Sequence, residues 1–156
     1  MTVKAYEYKT TVPMGWVDHN GHMNDGEYGR AFSDAGMVWL AQMGLDTEKI
    51  EEISYTIFTL ENHIVYQKEV FGGDEITVRI RIHDYDAKRL HVFMTLHDPH
   101  GDQCAAYEVM YMGMDRQTGR PAPFPEFFAR TVADYYSMQD NDVDIKEMGR
   151  TIGIRR

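Results

Sequence analysis

Asp18, Asn20 and His22 stand at alternate positions in the stretch from Trp16 to Asn24, which places a carboxylate, an amide and an imidazole close together. A carboxylate can attack a carbonyl carbon, or it can activate a water molecule for the same attack. An amide and an imidazole can orient the water or the carbonyl oxygen. The alternative role for Asp18 is to cap a turn, which is a common task for Asp before a helix.

The residues after this stretch predict a helix that begins beside these groups. Asn24 and Glu27 have the spacing of a capping box, in which an N-cap side chain and a carboxylate satisfy free helix amides reciprocally. From Tyr28 onward, apolar residues recur every three or four positions, and Gly44 supplies the stop. The free amides and the positive end of the helix dipole favour negative charge, so a carbonyl oxygen aimed there would be stabilised as it becomes an oxyanion.

The rest of the chain predicts an α+β fold in which one sheet carries this helix. A first strand is expected over residues 3–12, a polar segment over 46–54 and a last helix over 126–138. Between the polar segment and Met114 the apolar residues alternate with polar ones, which predicts a meander of four antiparallel strands. The predicted helix is rich in small residues that permit close approach, so we expect the sheet to wrap around it. A single helix inside a curled antiparallel sheet is the hotdog architecture.

Composition narrows the class of protein. The 156 residues predict a single domain over 1–156, and the net charge of -9 argues against a nucleic-acid partner. Cys104 is the one cysteine, which excludes an internal disulfide and favours a reducing compartment, so a cytoplasmic location is expected. No uncharged apolar run is long enough to span a bilayer, and no membrane partner is expected.

Two motifs resemble those of known thioesterases. The run Asp18-x-Asn20-x-His22-x-Asn24 resembles the Asp-x-Asn-x-His-x-Asn motif of plant acyl-carrier-protein thioesterases, and Trp-x-Asp-x-x-Gly-His resembles the 4-hydroxybenzoyl-coenzyme A thioesterase group. Both groups have the hotdog fold. The run Tyr66 to Val70 resembles a plant segment whose Glu takes part in catalysis, which implies that role for Glu69. Val70 stands where the plant enzymes have Cys, and this argues against a thiol nucleophile there.

A resemblance over nearly the whole chain is to the betainyl-coenzyme A thioesterases of carnitine breakdown. It rests on the runs Thr59-Leu60-Glu61-x-His63, Tyr66-x-x-Glu69-Val70 and Asp86-x-Lys88-Arg89-Leu90-His91, with Gly44-Leu45-Asp46 and Ala122-Pro123-Phe124 around them. This resemblance implies an acyl-CoA substrate with a short, permanently cationic acyl group, for which aromatic side chains would form a cage. Phe32 and Trp39 could belong to that cage, although helical spacing makes core packing their expected role.

These observations and resemblances define the predicted site. Asp18 is the nucleophile or general base, Asn20 and His22 orient water or the carbonyl, and Glu69 assists. The expected substrate-binding residues are Trp16, Tyr28, Glu61, His63, Tyr66, Lys88 and Arg89. A solvated polar face is the alternative for Glu61, His63 and Glu69 on an unbroken strand, and exposed strand positions favour residues such as Lys88 and Arg89 without any ligand.

The sequence favours an enzyme that needs no cofactor and no metal. His-Glu-x-x-His and paired cysteines are missing, so a metal site is not expected. The His-Phe-Pro-type motif of hotdog dehydratases is also missing. The alternative from another class is a non-catalytic hotdog protein that binds an acyl ligand. The family's edge-to-edge pairing of sheets implies a homodimer or a dimer of dimers, whose site the two subunits would share.

Overall fold

The structure is a computed structural model that describes residues 6–156, and its central element is helix α1, Asp25–Gln42. The Asn24 side chain accepts a hydrogen bond from the Gly26 amide at 3.0 Å, which confirms the predicted N-cap. The reciprocal half of the capping box is wrong, because the Asn24 amide donates to the Trp16 carbonyl at 2.9 Å instead. The helix ends before Gly44, whose φ of 106° lies in the left-handed region that glycine adopts without strain.

Within residues 6–156 the sheet has six antiparallel strands: β1 Tyr6–Thr11, β2 Tyr55–Tyr66, β3 Glu75–Tyr85, β4 Arg89–His97, β5 Gln103–Asp115 and β6 Arg120–Pro121. Their order in space is β1-β3-β4-β5-β2, with β6 paired to β5. The predicted meander of four strands is therefore wrong in one respect: β3, β4 and β5 form a meander, but β2 pairs with β5 on the far side. The chain crosses from β2 to β3 through residues 67–74. Period two predicts strands, but it does not predict which strands pair.

A bulge in β2 changes which residues share a face. The register with β5 shifts between Thr59 and Glu61. Ile64 lies opposite Tyr107, whose ring stacks on the α1 residue Phe32 with centroids 4.8 Å apart. Phe58 lies opposite Met112. Met112 and Tyr107 are on opposite faces of β5, and residues directly opposite each other on paired strands share a face. An unbroken strand would place Phe58, Leu60, Ile64 and Tyr66 on one apolar face, but the bulge puts Phe58 and Ile64 on opposite faces.

Two further helices flank the sheet. Helix α2, Thr47–Ile53, lies inside the segment that the sequence indicated only as polar, and the Asp46 side chain caps it by accepting from the Lys49 amide at 2.8 Å. Helix α3, Glu126–Met138, has the predicted bounds. Residues 139–156 then continue without helix or strand, and the Gly149 amide donates to Glu108 on β5 at 2.7 Å. Among residues 6–156 we find no helix both long and apolar enough to cross a membrane.

The sheet wraps closely around α1, as the small residues of the helix predict. Ala31, Ala35 and Gly36 are buried against it, together with Phe32 and Trp39. A Cβ atom at Gly36 would lie 2.6 Å from Tyr111 Oη on β5 and 3.2 Å from Met94 Cε on β4. Because the interior is close-packed, this contact sets how near the helix and the sheet can approach.

We predict that Gly36→Ala lowers the free energy of unfolding by about 1 to 3 kcal/mol, because the added methyl group must displace the buried Tyr111 hydroxyl. Gly29→Ala on the same helix is the matched control. A Cβ there meets only Ile64 Cδ1 at 3.6 Å, an ordinary contact, so the better helix propensity of Ala should stabilise the protein by about 0.5 to 1 kcal/mol. Urea denaturation measures both, and equal effects of the two variants would contradict the prediction.

Candidate active site

A short loop presents Asp18 at the start of α1. Val17 and Met23 form an antiparallel bridge that closes the loop, and the Asp18 amide donates to the His22 carbonyl at 2.9 Å. Asp18 Oδ1 accepts from the Asn20 amide at 2.8 Å and from the His22 amide at 3.2 Å. Both hydrogen bonds recorded for this carboxylate fall on Oδ1, so Oδ2 is the oxygen left to attack or to bind water.

Five predicted site residues line one open cleft of about 420 Å³, which we call the Asp18 cleft. The cleft lies between the loop, the first turns of α1 and the crossover that follows β2. The predicted residues that line it are Asp18, His22, Tyr28, Tyr66 and Glu69. A space of this size is sufficient for a small acyl group and part of its carrier.

His22 and Glu69 meet in this cleft although they are far apart in the sequence. His22 Nε2 lies 3.3 Å from Glu69 Oε2, and the His22 ring packs edge-on against Phe71 with centroids 5.0 Å apart. The prediction that Glu69 could continue the strand of Glu61 and His63 is wrong, because β2 ends at Tyr66 and Glu69 lies in the crossover. The crossover therefore turns Glu69 toward the imidazole instead of onto a strand face.

Two tyrosines form an aromatic corner in the cleft. The rings of Tyr28 and Tyr66 are 5.1 Å apart and nearly perpendicular at 80°. Tyr66 Oη donates to the Asp25 carbonyl at 3.0 Å, and Tyr28 Oη donates to the Lys68 carbonyl at 3.4 Å. Burial raises the pKa of the Tyr28 phenol to about 12, so this hydroxyl stays protonated at neutral pH. These contacts fix both rings in the cleft.

The start of α1 offers fewer free amides than the sequence implies. The Gly26 amide donates to Asn24 Oδ1 at 3.0 Å and to Asp25 Oδ1 at 2.9 Å, and the Glu27 amide donates to the Asn24 carbonyl at 2.9 Å. For the Asp25 amide the structure records no acceptor among residues 6–156. An oxyanion at this helix start would therefore depend on the Asp25 amide and on the dipole.

The charges of the cleft are predominantly negative. It holds the carboxylates of Asp18, Asp25 and Glu69, whereas its Lys68 ammonium is already paired with Asp98 and Asp102, each at 2.7 Å. Such a cleft disfavours an anionic acyl group and favours a cationic one. Within residues 6–156, no group of three or more His, Cys, Asp or Glu side chains is arranged to hold a metal ion.

Cys104 lies near the cleft but is not suited to nucleophilic attack. It is fully buried on β5, and burial raises the pKa of its thiol to about 11. The thiolate is the reactive form, so the thiol is almost wholly unreactive at neutral pH. Its contribution to the site is structural, since the Cys104 carbonyl accepts from the amides of Gln67 and Lys68 at 2.9 and 3.1 Å.

The other predicted site residues lie outside the Asp18 cleft in the single chain. Asn20 is exposed beside Asp18 and supplies a backbone amide, and the Trp16 ring lies under the Arg30 guanidinium at 5.3 Å. Phe32 and Trp39 are fully buried, so core packing is their role.

The structure also separates Glu61, His63, Lys88 and Arg89 from the Asp18 cleft. Glu61 and His63 line a separate cavity of about 280 Å³ on the outer face of the sheet. Lys88 and Arg89 lie at the turn between β3 and β4, where Arg89 Nε donates to Asp86 Oδ2 at 2.7 Å. That ion pair lowers the pKa of Asp86 to about 2. Substrate binding by these four residues stays a prediction.

Sequence reasoning missed four residues of the cleft: Met23, Asp25, Gln67 and Lys68. In the sequence, Asp25 is simply the first residue of the predicted helix, although it follows the cap directly. Lys68 stands next to Glu69 in the run that resembles a catalytic segment, and that position is the signal that could have indicated it.

The chain shares its fold and much of its sequence with known thioesterases. It is 37% identical over 128 residues to the betainyl-CoA thioesterase of Pseudomonas aeruginosa, covering 81% of this chain and 80% of that protein. It is 32% identical over 126 residues to the L-carnitine dehydrogenase/betainyl-CoA thioesterase of Agrobacterium fabrum, covering 81% of this chain but only 26% of that longer protein. The hypothetical protein SAV2348 from Staphylococcus aureus, solved in complex with CoA, superposes with a TM-score of 0.95 at 38% identity, covering 99% of this chain and 98% of that one.

The chain has a curled antiparallel sheet wrapped around one helix, with an acidic residue in the loop before that helix. This arrangement defines a hotdog-fold protein, and the predicted fold is confirmed. The chain belongs to the thioesterase-like superfamily, whose model matches residues 12–132. The predicted family is therefore confirmed, and with it the class of enzyme, a thioester hydrolase.

Proposed function

We propose that this protein hydrolyses the thioester of a short-chain acyl-CoA to the free acid and CoA, and that the reaction depends on Asp18. The observation that carries the proposal is the convergence of Asp18, His22 and Glu69 in one cleft at the start of α1. The net reaction adds one water molecule across the thioester bond, and the sulfur leaves as the thiol of CoA.

Each group in the cleft has a proposed task. Asp18 Oδ2 attacks the carbonyl carbon, which gives an anhydride that water then opens, or it takes a proton from the attacking water. His22, paired with Glu69, orients that water or the carbonyl oxygen. The Asp25 amide and the dipole of α1 stabilise the oxyanion. Asn20 supports this arrangement because its backbone amide donates a hydrogen bond to Asp18 Oδ1.

We infer that the acyl group is the betainyl group, which ends in a trimethylammonium cation. A quaternary ammonium makes no ordinary hydrogen bond, so aromatic faces and diffuse negative charge bind it, at about 0.5 to 2 kcal/mol for each cation-π contact. The perpendicular pair Tyr28 and Tyr66 beside Asp18, Asp25 and Glu69 offers both. The betainyl-CoA thioesterase of Pseudomonas aeruginosa, 37% identical, supports the same acyl group.

We also infer that the active protein is a dimer formed through β2. This strand is an edge of the sheet, since it pairs only with β5, and its Phe58 and Leu60 side chains are about half exposed. Strands β2 and β4 run in the same direction, because both are antiparallel to β5. Tyr66 is the last residue of β2 and Arg89 is the first residue of β4, so the two lie at opposite ends of the sheet. Antiparallel pairing of two β2 strands would reverse the partner and bring the partner subunit's Arg89 to the end that carries Asp18.

Such a pairing accounts for the predicted residues outside the cleft. Glu61 and His63 would lie on the pairing strand itself, and Lys88 and Arg89 of the partner subunit would be near enough to bind the phosphates of CoA. A dimer of dimers would preserve this arrangement. We further propose a cytoplasmic protein that acts as one domain over residues 1–156, which the single buried thiol of Cys104 supports.

The rival function is binding of an acyl ligand without hydrolysis. Release of free thiol from a panel of acyl-CoA thioesters, read with a colorimetric thiol reagent, separates the two. Because the Cys104 thiol is buried and its pKa is raised to about 11, the reagent reports the CoA released and not the protein.

We predict that Asp18→Asn lowers turnover by on the order of a hundredfold or more while the protein stays folded. Asn keeps the Oδ1 acceptor for the amides of Asn20 and His22, so the loop survives, but the charge that attacks or deprotonates is lost. Asp46→Asn is the matched control, because Asp46 accepts a similar backbone hydrogen bond at the start of α2, outside the cleft, and its turnover should stay within about twofold. Near-normal turnover of Asp18→Asn would refute the mechanism.

For the acyl group, we expect kcat/KM for betainyl-CoA to be about thirtyfold or more above that for its neutral isostere, tert-butylacetyl-CoA. The reason is that an aromatic cage should bind the cation more strongly than the neutral group by about 2 kcal/mol. Tyr66→Leu should reduce this preference to about fivefold or less. Tyr85→Leu should leave it intact, because Tyr85 makes a similar edge contact with Tyr136, at 5.3 Å, away from the cleft. Equal or faster hydrolysis of the neutral ester would disprove the betainyl assignment and leave the thioesterase activity standing.

For the dimer, light scattering should give twice the mass of the chain, and Leu60→Lys should give a monomer with turnover reduced by about tenfold or more. Met138→Lys is the control, because Met138 on α3 has the same exposed fraction as Leu60, 52%, but lies off the β2 edge. The control should remain a fully active dimer. A stable and fully active wild-type monomer would rule out the shared site.

A further inference from the structure

The crossover from β2 to β3, residues 67–74, carries Glu69 into the Asp18 cleft. The Glu69 side chain is 65% exposed, and its recorded polar contact is His22 Nε2 at 3.3 Å. An exposed carboxylate with one long contact is weakly held by its own interactions. The position of Glu69 therefore depends on how the backbone is fixed on either side, at Lys68 and at Val70.

On the Val70 side, the crossover is held by burial and by backbone hydrogen bonds. The Val70 side chain is fully buried, and its carbonyl accepts from the Met23 amide at 2.7 Å. Phe71 bridges to His22, and the Phe71 amide donates to Asp74 Oδ2 at 3.0 Å. This side of the crossover is thus attached to the Asp18 loop itself.

On the Lys68 side, an ion cluster attaches the crossover to the turn between β4 and β5. Lys68 Nζ lies 2.7 Å from Asp98 Oδ2 and 2.7 Å from Asp102 Oδ2. The Asp98 side chain is only 5% exposed, and its Oδ1 accepts from the amides of His100 and Asp102. We call Lys68, Asp98 and Asp102 the Lys68 clamp.

The clamp joins a long flexible side chain to a rigid acceptor. Lys68 lowers the pKa of Asp98 to about 2, and the two carboxylates raise the pKa of Lys68. A carboxylate with a lowered pKa loses its charge only as the pH falls toward that value, and a lysine with a raised pKa keeps its charge to higher pH. Lys68 and Asp98 therefore both stay charged from about pH 5 to about pH 9, and their ion pair persists over the range in which a thioesterase is assayed.

We propose that Lys68 is a positioning residue for the reaction, and that the Lys68 clamp fixes the crossover so that Glu69 stays within reach of His22. The inference rests on the proposed role of Glu69 in thioester hydrolysis. Lys68 acts through Glu69 in this scheme, and it does not touch the substrate. A displacement of about 1 Å at a reacting group can cost on the order of a hundredfold in rate, so a loosened crossover reduces turnover.

The kinetic experiment compares Lys68→Met, Lys68→Arg and Lys49→Met in the wild type and in a Glu69→Gln background. Lys68→Met should lower kcat by about tenfold or more with KM within about threefold, and Lys68→Arg should recover kcat to within about threefold. Lys49→Met, the control, breaks an exposed pair with Glu52 at 3.3 Å and should leave kcat unchanged. In the Glu69→Gln background, Lys68→Met should change kcat by less than about twofold, because the group that it positions is already lost.

Three kinetic results would overturn the proposal. An unchanged kcat for Lys68→Met would make the clamp a structural ion pair only. A rise in KM alone would make Lys68 a substrate contact. If Lys68→Met lowers kcat as much in the Glu69→Gln background as in the wild type, Lys68 does not act through Glu69. The same conclusion follows if Glu69→Gln by itself leaves kcat unchanged. If Lys68→Met does not fold, Asp102→Asn removes the exposed half of the clamp and leaves buried Asp98 paired, and it should lower kcat by about threefold or more.

Amide hydrogen exchange tests the Lys68 clamp independently of catalytic turnover. Lys68→Met should speed exchange of the Gln67 and Lys68 amides, which donate to the Cys104 carbonyl, by about tenfold or more, and leave the central strand β4 protected. Unchanged exchange at these amides would overturn the proposal. Wild-type protein that releases no thiol would instead refute the proposed function, so the two failures are distinguishable.

Discussion

The close packing of α1 against β5 is the constraint on which the rest of the structure depends. At Gly36 there is no room for even one Cβ atom before Tyr111 is displaced, and Ala31 and Ala35 on the same helix are fully buried. A helix held this near the sheet has its first turn fixed relative to the ends of β2 and β5. The Asp18 loop, the aromatic corner and the crossover meet at one end of the sheet for this reason.

The cleft at that end combines Asp18, the proposed catalytic carboxylate, with further negative charge. Asp18, Asp25 and Glu69 are held together although like charges repel, and Lys68 does not neutralise them because Asp98 and Asp102 already occupy it. Backbone hydrogen bonds of the loop and the crossover fix these groups in place. A cationic acyl group would relieve the repulsion on binding, which connects the electrostatics of the cleft to the choice of substrate.

The topology of the sheet gives β2 two tasks. Its end leads into the crossover that carries Glu69, and its open edge is free to pair with another strand. The bulge near Thr59 reverses the faces along the strand, so that Ile64 packs toward α1 while Glu61 and His63 turn to the outer face. An edge strand of 12 residues with half-exposed apolar side chains needs protection against uncontrolled pairing, and the proposed dimer would supply it.

The sequence by itself determined most of the helices and strands, because capping, period two and helical spacing are local properties of neighbouring residues. It predicted α1 from Asn24, α3 over its full length and the hairpins of β3, β4 and β5, and it indicated Asp18 and His22. Only the tertiary structure decided that β2 pairs with β5, that Glu69 leaves the strand to meet His22, and that Lys68 is bound to Asp98. Strand partners, bulges and ion pairs between distant segments depend on how the chain closes around α1, and no local pattern encodes that closure.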